Sequence, residues 1–164
     1  MRTLDPIALD QLDTQPFKLA VTASLDADPD VVFAELGDMS LWFPLMYKSV
    51  WKTGATSGVG AEREVRVHTF GAFRERMLAW DTGERVAFTM TETSSPLIDR
   101  MAEDWWVAHD TAGTRLSWNV YATPTRLGRP AAPALRLVLK MIFGRAVANL
   151  HKRTGTYRSA KHAS

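Results

Sequence analysis

The sequence predicts one α+β domain in which a curved antiparallel sheet of about six to seven strands wraps around a long C-terminal helix. Three observations carry this. Alternating apolar and polar residues, cut by glycine- and proline-bearing turn signals, run from residue 17 to residue 122. Two short helical segments interrupt them after the first strand. A proline-rich linker then gives way to an apolar stripe at helical spacing. A chain of 164 residues is long enough to bury a core and suits one domain.

Residues 1–16 are polar, carry two prolines and read as an N-terminal arm. Phe17 to Leu25 alternates and includes Val21 and Thr22, as a strand does. Asp28-Pro29-Asp30 opens a helix: Asp28 suits the cap and Pro29 the first helical position. Val32, Phe33 and Leu36 form its apolar stripe and Gly37 ends it. Asp38 begins a second short turn through Phe43, which Pro44 stops.

The strands expected next are Tyr47 to Lys52, Glu62 to Phe70, Phe73 to Asp81, Arg85 to Thr93, Glu103 to Asp110 and Thr114 to Ala122. Gly71-Ala72, with glycine first, predicts a two-residue type II′ turn. Thr82-Gly83 and Thr111-Ala112-Gly113 predict further reversals, and Ser94-Ser95-Pro96 a break. Short connections imply an antiparallel meander. After a linker with Pro124, Gly128, Pro130 and Pro133, the residues Leu135, Val138, Leu139, Ile142, Ala146, Asn149 and Leu150 recur at helical spacing. His151, Lys152 and Arg153 complement the helix dipole, Gly155 is the expected stop, and 156–164 is a basic tail.

Charge is unevenly spread. The first 110 residues hold all 18 acidic residues, and the last 54 hold ten basic ones and none that is acidic. Such an end can meet an anionic membrane surface or an acidic partner, or complement the acidic part of its own fold. The most apolar run, Leu137 to Phe143, is interrupted by Lys140, so no membrane span is expected. The N-terminus does not read as a signal peptide, and the absence of cysteine excludes thiolate chemistry and fits a cytoplasmic protein.

The order of elements and several short motifs resemble the START-like, or SRPBCC, superfamily, and within it the polyketide cyclase/dehydrase-type domains. The residues that carry the resemblance are Asp28-Pro29-Asp30-Val31-Val32-Phe33, Trp42-Phe43-Pro44, Gly58-Val59-Gly60-Ala61-Glu62-Arg63, Phe73-Arg74-Glu75-Arg76 with Trp80-Asp81, Glu84-Arg85-Val86-Ala87-Phe88, and Gly113-Thr114-Arg115-Leu116-Ser117-Trp118. The likeness covers residues 17–155. It implies a helix-grip fold and a hydrophobic ligand (polyketide, lipid or aromatic metabolite) bound between sheet and long helix. It also leaves open a cyclase/dehydrase-type enzyme acting on that ligand.

No cofactor or metal is expected. Gly58-Val59-Gly60 lacks the third glycine of a phosphate-binding fingerprint and leads into a strand, not a helix. His68, His109, His151 and His162 do not pair at a ligand spacing. Nucleic-acid recognition has no module to support it. The candidate proton-transfer residues are His68, in a mid-sheet strand, and Glu75 and Arg63, on strands expected to pair. His68 serves only if Arg66, His68 and Phe70 face inward in place of Val65 and Val67. The expected ligand-binding lining is Trp42, Phe43, Val65, Val67, Phe88, Met90, Trp105, Leu116, Trp118, Leu139, Ile142 and Phe143. The six tryptophans are either core filling or an aromatic lining for a flat ligand. Leu137 and Met141 lie off the main helical stripe beside Arg136 and Lys140, a surface for a membrane, an acidic partner or a second subunit, so monomer and homodimer both remain open.

Overall fold

A computed structural model describes residues 1–111 and 113–161, with side chains as far as Gly155. Ala112, His162 and the side chains of the basic tail lie outside the described residues. The elements are β1 (Arg2–Thr3), β2 (Phe17–Leu25), α1 (Pro29–Leu36), β3 (Met46–Trp51), β4 (Glu62–Val67), β5 (Gly71–Asp81), β6 (Arg85–Thr93), β7 (Ile98–Asp110), β8 (Gly113–Pro124) and α2 (Ala132–Lys161). Short 3-10 turns at Leu9–Thr14 and Met39–Leu41 precede β2 and β3.

The strands form one eight-stranded antiparallel sheet in the order β2-β8-β7-β6-β5-β4-β3, with β1 added beside β6. This is the curved sheet around a long C-terminal helix that the sequence predicts. Register shifts mark two bulges in the β5–β6 pair: Thr91 is the extra residue of β6 opposite Arg74/Glu75, and Leu78 is the extra residue of β5 between Met77 and Ala79. Bulges bend a long strand and change which residues face inward. Met77 and Trp80 both reach the core side as a result.

Three expectations need correction. The reversal after β4 is at His68–Phe70, not at Gly71-Ala72. Val67 pairs with Gly71, and Thr69 takes a φ of 71°. A β-branched residue at positive φ is uncommon, which is why sequence favours the glycine turn. Second, β7 begins at Ile98, so Met101 and Ala102 are strand residues. Third, α2 runs through Gly155 to Lys161. A glycine ends a helix only where the chain turns left-handed; Gly155 is not among the residues with positive φ, and within a helix it costs about 1 kcal/mol.

The arm is tied to the sheet. Ile7 N donates to Thr89 Oγ1 at 2.9 Å, and Arg100 donates to the carbonyls of Asp5 and Pro6. Ile7, Leu12 and Ala102 bury together against Tyr121 on the outer face. The inner face carries Val65, Val67, Met77, Phe88, Met90, Trp105, Leu116, Trp118 and Val120, all buried in one cluster with Phe143, Ala146 and Leu150 of α2. The far part of α2 is held on the α1 side: Asn149 Nδ2 donates to the Trp42 carbonyl at 3.0 Å, and Arg153 meets Glu35 at 2.8 Å.

Candidate functional site

One part of the inner face is solid and the other is hollow. Trp42, Trp105 and Trp118 pack edge to face or tilted with centroids 5.0–6.1 Å apart, and Phe143 stacks on Trp118 at 4.1 Å. Beside this cluster lies a cavity of about 100 Å³. Phe43 and Phe143 form its boundary with the aromatic cluster, Val65, Val67, Met90 and Met101 line the sheet side, and Ala132, Leu135 and Leu139 of α2 line the helix side. Leu97, Ile98, Pro124 and Gly128 close the end under the linker. There the chain packs so tightly that a Cβ on Gly128 would collide with the Leu97 carbonyl. A second, more open depression shares Phe17, Pro124 and Ala132 with the cavity and holds Arg129 and Arg136. Arg136 lies over the Phe17 ring at 4.9 Å.

Of the twelve lining residues expected from sequence, Phe43, Val65, Val67, Met90, Leu139 and Phe143 border the cavity. Trp42, Phe88, Trp105, Leu116 and Trp118 are buried, and Ile142 packs partly buried against them, but none of the six borders it. Interlocked indole rings leave no room among themselves, so the tryptophans here fill core and do not line the cavity.

Two acidic side chains interrupt this apolar lining, Glu75 and Glu103. Glu75 faces Arg63 directly across the β4–β5 ladder. Nε and Nη2 of Arg63 meet Oε2 of Glu75 at 2.8 and 2.7 Å, and the two side chains are only 1% and 2% exposed. Nη1 of Arg63 donates to the Gly37 carbonyl at the end of α1, and its guanidinium lies 5.3 Å from the Trp51 ring and 5.6 Å from Phe88. A cation so enclosed by carbonyl, carboxylate and ring faces is fixed in orientation. Burial pushes the Glu75 carboxyl above its ordinary value, against the pull of Arg63.

Glu103 projects from β7, opposite Phe88, while Glu75 is opposite Met90; β6 thus runs between the two acids. Glu103 is 6% exposed, and Oε2 accepts the indole N–H of Trp118 at 2.7 Å and of Trp105 at 3.0 Å. Burial, followed by the charge of Glu75, pushes its pKa up to about 8. One buried guanidinium can offset one carboxylate, so the uncharged acid is the favourable second state.

His68 is exposed in the turn after β4, its ring tilted against Tyr47 with centroids 4.3 Å apart and outside the cavity, while Val65 and Val67 take the inward positions of the strand. Sequence reasoning missed Glu103, although a signal was there. With Trp105 inward, period-two alternation places Glu103 and Met101 on the same face. No group of three or more potential metal ligands is found among the described residues.

The family model for polyketide cyclase/dehydrase and lipid transport matches residues 16–155. This chain belongs to that family. It is similar to uncharacterized proteins of Mycobacterium tuberculosis and Mycobacterium bovis, each 27% identical over 170 residues with both chains wholly covered. Among solved structures it is similar to a START superfamily protein from Mycobacterium smegmatis, with a TM-score of 0.71 at 10% identity over 85% of this chain and 98% of that one. A Thermobifida fusca protein gives 0.69 at 21% identity over 85% and 93%. These likenesses confirm the START-like fold, and in this chain the cavity lies between the sheet and α2.

Proposed function

We propose that the protein binds a hydrophobic small molecule (a polyketide, lipid or aromatic metabolite) in the cavity between the sheet and the first half of α2. The observation that carries this is the apolar, roofed space of about 100 Å³ beside a solid core. Natural interiors rarely leave such a gap, and an apolar void of this order stays dry and takes a ring-sized guest. Sites for whole drug-sized ligands run to roughly 300–1,000 Å³, so a longer ligand enters only if the first turns of α2 shift. The test is a titration of tryptophan emission with fatty acids, quinones and polyaromatics, using Phe143 as the contact between cavity and Trp118. One class should give a saturable change, and Ala122→Leu, which adds bulk at a β8 residue bordering the cavity, should abolish it. A response that Ala122→Leu leaves intact would place the ligand elsewhere.

A second reading, a cyclase/dehydrase-type enzyme, is favoured by the two acids at the cavity wall. Glu75, oriented by Arg63, is then the group that moves protons on a ligand held in place by the apolar walls. Turnover of a bound ligand that survives Glu75→Gln would count against it. Contact with an anionic membrane is supported separately, by exposed Leu137 and Met141 beside Arg136 and Lys140.

A further inference from the structure

We infer that Glu103 is a hydrogen-bond donor that holds a carbonyl oxygen of the bound molecule, so that the cavity takes ketones and esters over hydrocarbons of the same shape. This rests on the proposal that the cavity is a ligand site. A carboxyl oxygen of carbonyl type accepts two hydrogen bonds. Oε2 of Glu103 already has two, from Trp105 and Trp118. In the uncharged acid the proton therefore sits on Oε1. That oxygen has no hydrogen bond with any described residue. Glu103 borders the cavity and neither tryptophan does, so Oε1 is the oxygen left to meet a guest.

Among the described lining residues no other side chain offers a guest a donor while Glu75 is ionised. The guanidinium of Arg63 is spent on Glu75 and the Gly37 carbonyl, and Glu75 is itself an acceptor while ionised. The charged groups acting on Glu103 are Glu75 of β5 and Arg63 of β4, while Phe43, Phe143, Leu135 and Leu139 cover the cavity from the other elements. A lone O–H donor in an apolar space discriminates by chemistry: an acceptor-bearing guest satisfies it, and a hydrocarbon leaves it unpaired. Ionisation removes the donor, and the Glu103 carboxyl titrates at about 8.

The experiment compares cyclohexanone with methylenecyclohexane, which share a shape and differ in the acceptor, by calorimetry on the full chain from pH 6 to 9.5. At pH 6 the ketone should bind roughly two- to tenfold more tightly. The preference should vanish as pH rises past the Glu103 titration. The infrared stretch of carbon-13-labelled cyclohexanone should move to lower frequency when bound at pH 6 and not at pH 9.5. In Glu103→Gln the amide oxygen can still accept both indoles and the amide N–H₂ still donates, so the preference should persist at every pH. Equal binding of the two probes at pH 6 overturns the assignment of Glu103 and leaves the cavity proposal standing. Failure of both probes to bind overturns both proposals. A ketone preference in the native chain that ignores pH also overturns the assignment.

Discussion

The two halves of α2 face different neighbours. From Phe143 onward the helix presses Phe143, Ala146, Leu150 and Thr154 into the core, and ties itself to the α1 side through Asn149 and Arg153. Before Phe143 it buries no side chain fully; it lays Leu135 and Leu139 over the cavity and exposes Leu137, Val138 and Met141. The later half meets interlocking aromatic rings, the earlier half meets methionine, valine and two acids. One continuous helix thus serves as an anchor at one end and a cover at the other. Local stability should follow the same division, because opening is easiest where few apolar contacts hold an element.

Truncation tests this most strongly. Phe143→Ala removes a ring stacked on Trp118 and should destabilise the protein by about 3–5 kcal/mol in urea titration. Leu139→Ala, half-buried over the hollow, should cost about 1 kcal/mol. Equal losses would mean that the two halves are not different in kind.

The seam between the halves should make stability depend on pH. The folded state holds the Glu103 proton up to about pH 8, whereas an unfolded glutamate releases it near its ordinary value of 4.5. Between these values the native state binds more protons than the unfolded state, so stability should fall as pH rises from about 4.5 to about 8. The size is on the order of a few kcal/mol. Glu75, also raised, adds in the same direction. Glu64, held low by Lys52 and Arg66, acts only as pH drops below its unfolded value, so the two effects separate. Urea titrations at several pH values should show the decline in the native chain and a flatter profile in Glu103→Gln. An unchanged slope in that variant would assign the decline to other groups. A smaller effect belongs to the anchor: Arg153→Ala loses a partly exposed pairing with Glu35 and should cost about 1 kcal/mol, read in the same titrations.

The sequence shows the solid end far more plainly than the hollow one. Alternation places Trp118 with Leu116 and Val120, and helical spacing places Ala146 and Leu150, because burying apolar area is a periodic demand. A cavity has no such signature. It exists where neighbouring side chains fall short of filling space, which depends on strand curvature and on how far α2 stands off the sheet. Trp105 and Trp118 were legible as inward, but not that they would fill each other's space instead of lining a void. Leu97 and Gly128 reach the cavity from connections that carry no period at all. Glu103 was accessible in principle from its spacing to Trp105, yet an acid between apolar residues reads as a surface position until its partners are known. The pairing of Arg63 with Glu75 follows from a turn through Thr69 at positive φ, which composition disfavours.

The smallest expected change in stability lies on the outside of the cover. Leu137 and Met141 are 63% and 61% exposed, so replacing both with serine should alter stability by no more than about 0.5 kcal/mol each. Under the proposed contact with an anionic membrane, the same pair enters the lipid interface while Arg136 and Lys140 meet the headgroups. Affinity for phosphatidylserine-containing vesicles, read by sedimentation, should then fall roughly thirtyfold in the double variant, since each of the two buried side chains contributes on the order of 1 kcal/mol. Neutral vesicles should bind weakly with either protein. If the native chain ignores anionic vesicles, or the double variant binds them as well as the native chain does, the exposed face of the cover is not a membrane contact.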